Sequence, residues 1–158
     1  MIVGSEAKNV TAEAAGEHIF GYTIFNDFSA RDQQMLDMQG GLGPTKGKSF
    51  EGGNALGPWI VTKDELPDPQ DLKVSVRING SEKARGHTDE MFFSFEEILS
   101  FISRDERVTP GEVIASGTVG GCCGLEIGEY LQDGDVVELE VKGIGVLRNR
   151  IAVAGEAR

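Results

Sequence analysis

Alternation of apolar and polar residues predicts β-strands along most of the chain. Residues 72–78 alternate strictly, with leucine, valine or isoleucine at every second position, and Asn79-Gly80 follows them. An Asn-Gly pair after such a segment is the strongest short-range signal of a β-hairpin. Residues 20–28, rich in β-branched and aromatic side chains, predict another strand. Further strands are predicted at residues 1–4, 58–62 and 113–116, with a closing hairpin at residues 135–141 and 144–153.

Helical patterns are short and lie between the predicted strands. Thr11 is predicted to cap a helix over residues 12–18, and a capping-box motif that begins at Ser29 predicts a helix over residues 30–38. A second capping box begins at Ser94, before apolar residues that recur at helical spacing. The glycine-rich residues 40–54 predict a loop. Short helices among many strands, without regular βα alternation, predict an α+β, strand-dominated fold.

Length, composition and charge narrow the class of protein. The chain has 158 residues, of which 39% are apolar, and this predicts one domain over residues 1–158 with a substantial core. Its 15 Lys and Arg against 26 Asp and Glu give a formal net charge of −11. Because an acidic chain repels phosphate backbones, general nucleic-acid binding is excluded. No apolar run approaches the ~18 residues of a membrane span and no leader opens the sequence, so we expect a cytoplasmic protein without membrane partners.

The few cysteines and histidines exclude several chemistries. Cys122 and Cys123 are adjacent, and neighbouring cysteines rarely form a disulfide because their Cα atoms are too close for relaxed geometry. His18 and His87 lie in different predicted elements, which disfavours a zinc site made from all four side chains. The cysteine pair is therefore interpreted as small residues in a glycine-rich loop.

The first of three polar clusters begins where the strand at residues 20–28 ends. Asp27 lies at the strand end and Arg31 one turn into the next helix. A carboxylate there can bind a hard cation, and an arginine beside it can bind a substrate carboxylate. The local spacing by itself favours a structural interpretation, in which Asp27 caps the helix while Arg31 and Asp32 form surface ion pairs.

The other two clusters are glycine-rich. Lys48 lies in a Gly-Lys-Ser sequence, but Gly43 stands four residues before Gly47 rather than five and no helical pattern follows, which rejects a nucleotide-binding phosphate loop. A lone lysine in such a loop is usually solvated. Residues 116–126 end a predicted strand in glycines, which can bring backbone N–H groups and the hydroxyl of Thr118 close to an anion, or form only a turn.

The three clusters, in this order, closely resemble the fumarylacetoacetate hydrolase family. The resemblance covers essentially the whole chain, and although each motif is short, their ordered combination is highly specific. It implies the fold of that family, a mixed β-sheet roll with short flanking helices. The matching segments are residues 21–32 (GYTIFNDFSARD), 47–50 (GKSF), 56–61 (LGPWIV), 76–80 (VRING), 91–94 (MFFS), 110–114 (PGEVI), 116–118 (SGT), 134–141 (GDVVELEV) and 144–145 (IG).

The resemblance also implies a role for each of six residues. Asp27 is similar to the family's aspartate ligand for Mg²⁺ or Mn²⁺, and Lys48 to the lysine that stabilises developing negative charge. Arg31 and Gln34 match positions that face the substrate, and Thr118 resembles the threonine that contacts the substrate carboxylate. The sixth residue, Glu126, resembles a glutamate that orients a catalytic histidine in the fumarylacetoacetase branch.

Part of the family's machinery has no counterpart in this sequence. The other metal ligands of the family are a Glu-x-Glu pair just before the segment that matches residues 2–4, and its base histidine also usually lies upstream. His18 and His87 do not match that histidine. We therefore expect an amino-terminally truncated catalytic domain, and the resemblance implies a homodimer or a complementary amino-terminal segment or chain as partner.

The residues suit cleavage beside a 2-oxo acid. A divalent ion would act as a Lewis acid on the substrate, and the ammonium of Lys48 would stabilise negative charge in a dry site. The function that we expect is therefore metal-dependent hydrolysis of an acylpyruvate-type substrate. Decarboxylation, dehydration or isomerisation on the same scaffold remain open, as does a non-catalytic fragment that only folds and associates.

Overall fold

The computed structural model describes residues 1–152, and most of its regular structure is β-strand. The described strands form two sheets. They are β1 (Ile2–Val3), β2 (Ile19–Asp27), β3 (Asn54–Thr62), β4 (Lys73–Ile78), β5 (Ser81–His87), β6 (Val136–Val141) and β7 (Gly145–Arg150).

The helices are short and connect or cover the strands. Two 3-10 turns accompany them, at Gly16–His18 and Thr88–Glu90. Among the described residues, no helix is long and apolar enough to cross a bilayer. The α-helices are α1 (Ala12–Ala15), α2 (Arg31–Met38), α3 (Thr45–Lys48), α4 (Phe95–Ile102) and α5 (Gly124–Ile127).

The two sheets have the strand orders β1-β2-β3 and β5-β4-β6-β7. Every pairing between described strands is antiparallel, so the sheets contain no parallel pair that would make them mixed. The predicted α+β, strand-dominated class is confirmed. In the second sheet β4 is central, because its alternating residues pair with β5 on one side and with β6 on the other.

The hairpin predicted at Asn79-Gly80 joins β4 to β5. Asn79 and Gly80 have φ angles of 51° and 78°, the left-handed conformation that a two-residue hairpin turn requires. The Asn79 side chain also donates to Asp135 Oδ1 and accepts from the backbone N–H of Val136. The turn therefore fixes the start of β6 as well as the hairpin.

The core lies where helix α4 and the two sheets meet. The capping box predicted at Ser94 is present, with reciprocal bonds between Ser94 and Glu97. Leu99 of α4 is completely buried. The ring of Phe95 packs against that of Tyr22 on β2, with 5.0 Å between the ring centroids. Burial of this apolar face stabilises a helix that is only 8 residues long and would not form alone.

Several local predictions need correction. The capping box at Ser29 does not form: α2 begins one residue later than predicted, with Ala30 as its N-cap and no side-chain cap bond. The Ala30 N–H donates to Gly47 O. The predicted loop at residues 40–54 contains helix α3, and β3 begins at Asn54 rather than at Pro58. The final strand was predicted to reach Val153; β7 ends at Arg150, and Val153 lies outside the described residues.

The strand predicted at residues 113–116 is wrong. Only Val113 forms an isolated bridge, to Ile2. Strand β1 offers just two residues for pairing, and beyond Ile114 the backbone leaves it to enter the loop that carries Thr118. This departure places the glycine-rich loop against the site.

Candidate functional site

A cavity of about 660 Å³ lies at the carboxyl-terminal end of β2. Its apolar lining comes from both sheets, through β2, β4 and β6. The polar part of the lining combines residues from all three sequence clusters, namely Asp27, Arg31, Asp32, Lys48, Ser116, Thr118 and Cys123. Segments that are far apart in the sequence therefore contribute to one concave surface, which is the usual form of a small-molecule site.

Asp27 and Lys48 form an ion pair in this cavity. Lys48 Nζ lies 2.6 Å from Asp27 Oδ2 and 3.2 Å from the Asp27 backbone oxygen. The Asp27 side chain is 47% exposed and the Lys48 side chain 27% exposed, so both remain accessible to a ligand. Asp27 does not cap helix α2, whose N-cap is Ala30, and Lys48 is paired rather than solvated. The capping interpretation of Asp27 is therefore wrong, and Lys48 is held in an ion pair.

The position of Lys48 is set by close packing of α3 on α2. Gly47 approaches Gln34 so closely that an added Cβ would lie 2.6 Å from Gln34 Cα. The Gly47 N–H donates to Asp37 Oδ2 at 2.7 Å, and its carbonyl accepts from Ala30 at 2.9 Å. The residue before Lys48 is thus held at its amide, its carbonyl and its α-carbon.

Asp37 is a positioning residue that the sequence did not reveal. It accepts the Gly47 N–H and a bond from Gln33 Nε2, and these bonds hold the pKa of its carboxyl below the usual aspartate value. Its position on an ordinary helix gave no motif to recognise. Only the packing of α3 shows that this carboxylate anchors the backbone beside Lys48.

Arg31 begins helix α2 and is oriented by two neutral acceptors. Its Nη1 donates to Gln34 Oε1 at 2.6 Å, and its Nη2 donates to Cys123 Sγ at 3.2 Å. Within residues 1–152 Arg31 forms no ion pair, so the predicted surface pairing of Arg31 with carboxylates does not occur. Gln34 does not line the cavity itself; it contacts the guanidinium of a residue that does.

Thr118 lies in the loop that crosses the mouth of the cavity. It is exposed and lines the cavity together with Ser116 and Gly117. Gly117 has a φ of 88°, a conformation that favours glycine, and it turns the chain toward the thiol loop at residues 122–123. The hydroxyl of Thr118 is therefore available to a ligand in the cavity that Arg31 also lines.

Glu126 makes a local contact at the start of helix α5. Its Oε2 accepts the Cys123 N–H at 3.0 Å, which closes a capping box at the start of α5. The two histidines contact other groups, His18 through Ser5 and His87 through Asp71 and Asp89. Neither histidine of the chain is therefore placed beside Glu126.

The donor set suits a hard cation only in part. Asp27 provides an accessible carboxylate of the type that Mg²⁺ and Mn²⁺ prefer. Residues 1–152 contain no group of three His, Cys, Asp or Glu side chains that could hold a metal ion. Asp27 can therefore contribute one ligand, and any divalent ion at this position needs further oxygen ligands from elsewhere.

Comparison with protein families matches almost the whole chain. The profile described as fumarylacetoacetate (FAA) hydrolase C-terminal matches residues 1–152. An uncharacterised protein of Pyrococcus abyssi is 41% identical over 151 residues, which are 96% of this chain and 64% of that protein. One of Methanocaldococcus jannaschii is 40% identical over 151 residues, covering 96% and 58%. The chain thus spans 50% to 64% of the length of these two proteins and of an uncharacterised relative from Staphylococcus saprophyticus.

Three solved structures share the fold. Fumarylacetoacetate hydrolase from the psychrophilic Exiguobacterium antarcticum has a TM-score of 0.85 and 38% identity, over 97% of this chain and 54% of that one. Fumarylpyruvate hydrolase from Pseudomonas aeruginosa, in complex with Mn²⁺ and pyruvate, has a TM-score of 0.85 and 25% identity, over 97% and 63%. A 5-carboxymethyl-2-hydroxymuconate delta-isomerase from Mycobacterium smegmatis has a TM-score of 0.84 and 35% identity, over 98% and 57%.

Proposed function

The chain belongs to the fumarylacetoacetate hydrolase family, and on this premise we propose that it forms the substrate-binding wall of a divalent-metal-dependent hydrolase. The proposed reaction cleaves the C–C bond beside the 2-oxo acid of an acylpyruvate-type substrate, consuming water and releasing pyruvate and a carboxylic acid. The observation that supports it is the ion pair of Lys48 with Asp27 beside the unpaired cation Arg31 in one cavity. The similarity to a hydrolase that binds Mn²⁺ and pyruvate agrees with it.

Asp27 is the residue of this chain that would hold Mg²⁺ or Mn²⁺. Its Oδ2 accepts from Lys48, which leaves its second carboxylate oxygen for a cation. The remaining ligands come, in this proposal, from polypeptide outside residues 1–152. When bound, the ion supplies Lewis-acid activation of the 2-oxo acid.

The chain's own cations provide the electrostatic part of the proposal. The guanidinium of Arg31, bonded only to neutral acceptors among the described residues, can bind a substrate carboxylate through its remaining N–H groups. The hydroxyl of Thr118 offers a further donor in the same cavity. Lys48 places an ammonium where negative charge develops as the C–C bond breaks. Removal of one such charge-stabilising group typically lowers kcat by about 10²–10³.

Isomerisation is the second candidate function. It is supported by the 35% identity to the delta-isomerase of Mycobacterium smegmatis, which shares the fold at a TM-score of 0.84. An enolate stabilised by Lys48 serves hydrolysis and tautomerisation alike, and only hydrolysis needs an attacking water. Release of pyruvate from an acylpyruvate, followed by a coupled assay, distinguishes the two reactions.

The metal part of the proposal is tested by paramagnetic broadening of amide signals with Mn²⁺, which detects even weak binding. We expect the first signals to broaden to be those around Asp27 and Lys48. Asp27→Asn should abolish this local broadening, whereas Asp32→Asn, which alters a neighbouring carboxylate in the same cavity, should leave it in place. Circular dichroism serves as the folding control.

Two results would overturn the metal assignment. One is broadening centred away from Asp27 in the wild-type chain. The other is an Asp27→Asn variant that keeps its fold and broadens like the wild type. Since the N-cap of α2 is Ala30 and Asp27 provides no side-chain cap, the substitution removes no helix cap and the fold should survive.

A further inference from the structure

Cys123 touches the guanidinium that the proposed function assigns to the substrate carboxylate. Arg31 Nη2 donates to Cys123 Sγ at 3.2 Å, across 92 residues of sequence. Both side chains line the cavity, and Cys123 is half-buried. A thiol sulphur is a weak and neutral acceptor, so this bond directs the guanidinium without neutralising it.

The backbone of Cys123 is held in place by the first turn of α5. Cys123 is the N-cap residue of this helix; its carbonyl accepts the Glu126 N–H at 2.9 Å, and the Glu126 carboxylate accepts the Cys123 N–H at 3.0 Å. The other end of α5 is tied down as well, because Glu129 forms an ion pair with Lys83 on β5 at 2.7 Å. A short helix fixed at both ends presents the thiol at a constant position.

Arg31 is therefore clamped between two groups that leave its charge available. Gln34 Oε1 accepts from Nη1 at 2.6 Å on one side, and Cys123 Sγ accepts from Nη2 on the other. A carboxylate in either place would form an ion pair and compete with an anionic ligand. We propose that Cys123, held by Glu126, is a positioning residue that orients Arg31 for the substrate carboxylate, an inference that rests on the proposed function.

Cys122 provides a matched control next in sequence. Its sulphur packs toward β5, where a Cβ added to Gly86 would lie 3.1 Å from it. Burial, followed by the charges of Glu126 and Glu90, raises the pKa of the Cys122 thiol. The structure gives it no bond to Arg31, so removal of its sulphur tests the general effect of losing a thiol from this loop.

The orientation of Arg31 can be measured without any enzymatic activity. Phenylglyoxal labels accessible guanidinium groups, and peptide mass spectrometry of the 158-residue chain gives the labelling rate of Arg31 alone. We expect Cys123→Ala to change this rate at least about threefold, Cys123→Ser to restore it, and Cys122→Ala to leave it unchanged. An unchanged rate in a folded Cys123→Ala variant would overturn the positioning role.

The link to ligand binding is tested by a double-mutant cycle on pyruvate affinity in the presence of Mn²⁺. Loss of a hydrogen bond to a charged group predicts about tenfold weaker binding for Cys123→Ala. In an Arg31→Met background the same change should have no further effect. An equal loss in both backgrounds would show that Cys123 acts elsewhere. If the wild type binds no pyruvate, the proposed function fails, while the labelling experiment still decides the orientation of Arg31.

Discussion

Gly47→Ala offers a direct test of how the fold positions Lys48. The new Cβ would lie 2.6 Å from Gln34 Cα and 2.7 Å from Gln34 N, and both are backbone atoms that cannot rotate away. To restore a contact of 3.4 Å, α3 would have to move from α2 by about 0.8 Å. That movement would stretch the bond of 2.7 Å between the Gly47 N–H and Asp37 beyond hydrogen-bonding range.

Two measurable losses follow from this displacement. Overpacking of this kind costs about 1–3 kcal/mol of unfolding free energy, which urea denaturation measures. Because Lys48 is the next residue, its ammonium would move relative to Asp27, and a displacement of about 1 Å in a catalytic group costs about 10²-fold in rate. In the enzyme completed by its remaining metal ligands, we therefore expect kcat to fall more than the modest loss of stability explains.

The matched control is Gly16→Ala, at a glycine where a Cβ would meet only the side chain of Glu96 at an ordinary 3.7 Å. Gly16 has a helical φ of −58°, so alanine should be neutral or stabilise the fold by about 0.4–1 kcal/mol. The reasoning is refuted if Gly47→Ala matches the wild type in stability and in kcat, since the contact between α2 and α3 would then not set the position of Lys48.

Three further predictions concern single side chains. In the enzyme completed by its remaining metal ligands, Lys48→Met should lower kcat by about 10²–10³ with a smaller effect on KM, whereas Lys46→Met should change neither. A large rise in KM at unchanged kcat would make Lys48 a binding residue only. Ser94→Ala should lower the unfolding free energy, measured by urea denaturation, by about 1 kcal/mol. Thr11→Ala removes no side-chain cap bond and should lower it less, so equal losses in the two variants would contradict the capping argument. Burial, followed by the charge of Glu96, raises the pKa of Tyr22 to about 12. The stability that its neutral phenol contributes is therefore complete below pH 10 and is lost as the pH rises toward 12. An absorbance titration should show an ionisation step near pH 12 that Tyr22→Phe removes, and a late step that survives in this variant would refute the assignment.

The sequence determined those features that depend on neighbouring residues. The Asn79-Gly80 turn formed because both residues tolerate positive φ, and the Ser94 capping box formed because its two partners are three residues apart. The strand-dominated class followed from alternation, and the ordered motifs identified the family. The turn and the capping box are each complete within a short segment. Alternation and the order of the motifs are read along the chain, so none of these signals needed tertiary information.

The tertiary structure decided the features that depend on distant partners. Helix α2 takes Ala30 rather than Ser29 as its N-cap, with the Ala30 N–H bonded to the backbone of α3. Residues 113–116 formed no strand beside the two residues of β1. Lys48 meets Asp27 across 21 residues, and Arg31 meets Cys123 across 92. Such contacts arise from the packing of sheets, helices and loops against one another, so no local pattern records them. This is why the family motifs pointed to Asp27, Arg31 and Lys48, while the anchoring of Lys48 and the clamp on Arg31 emerged only from the fold.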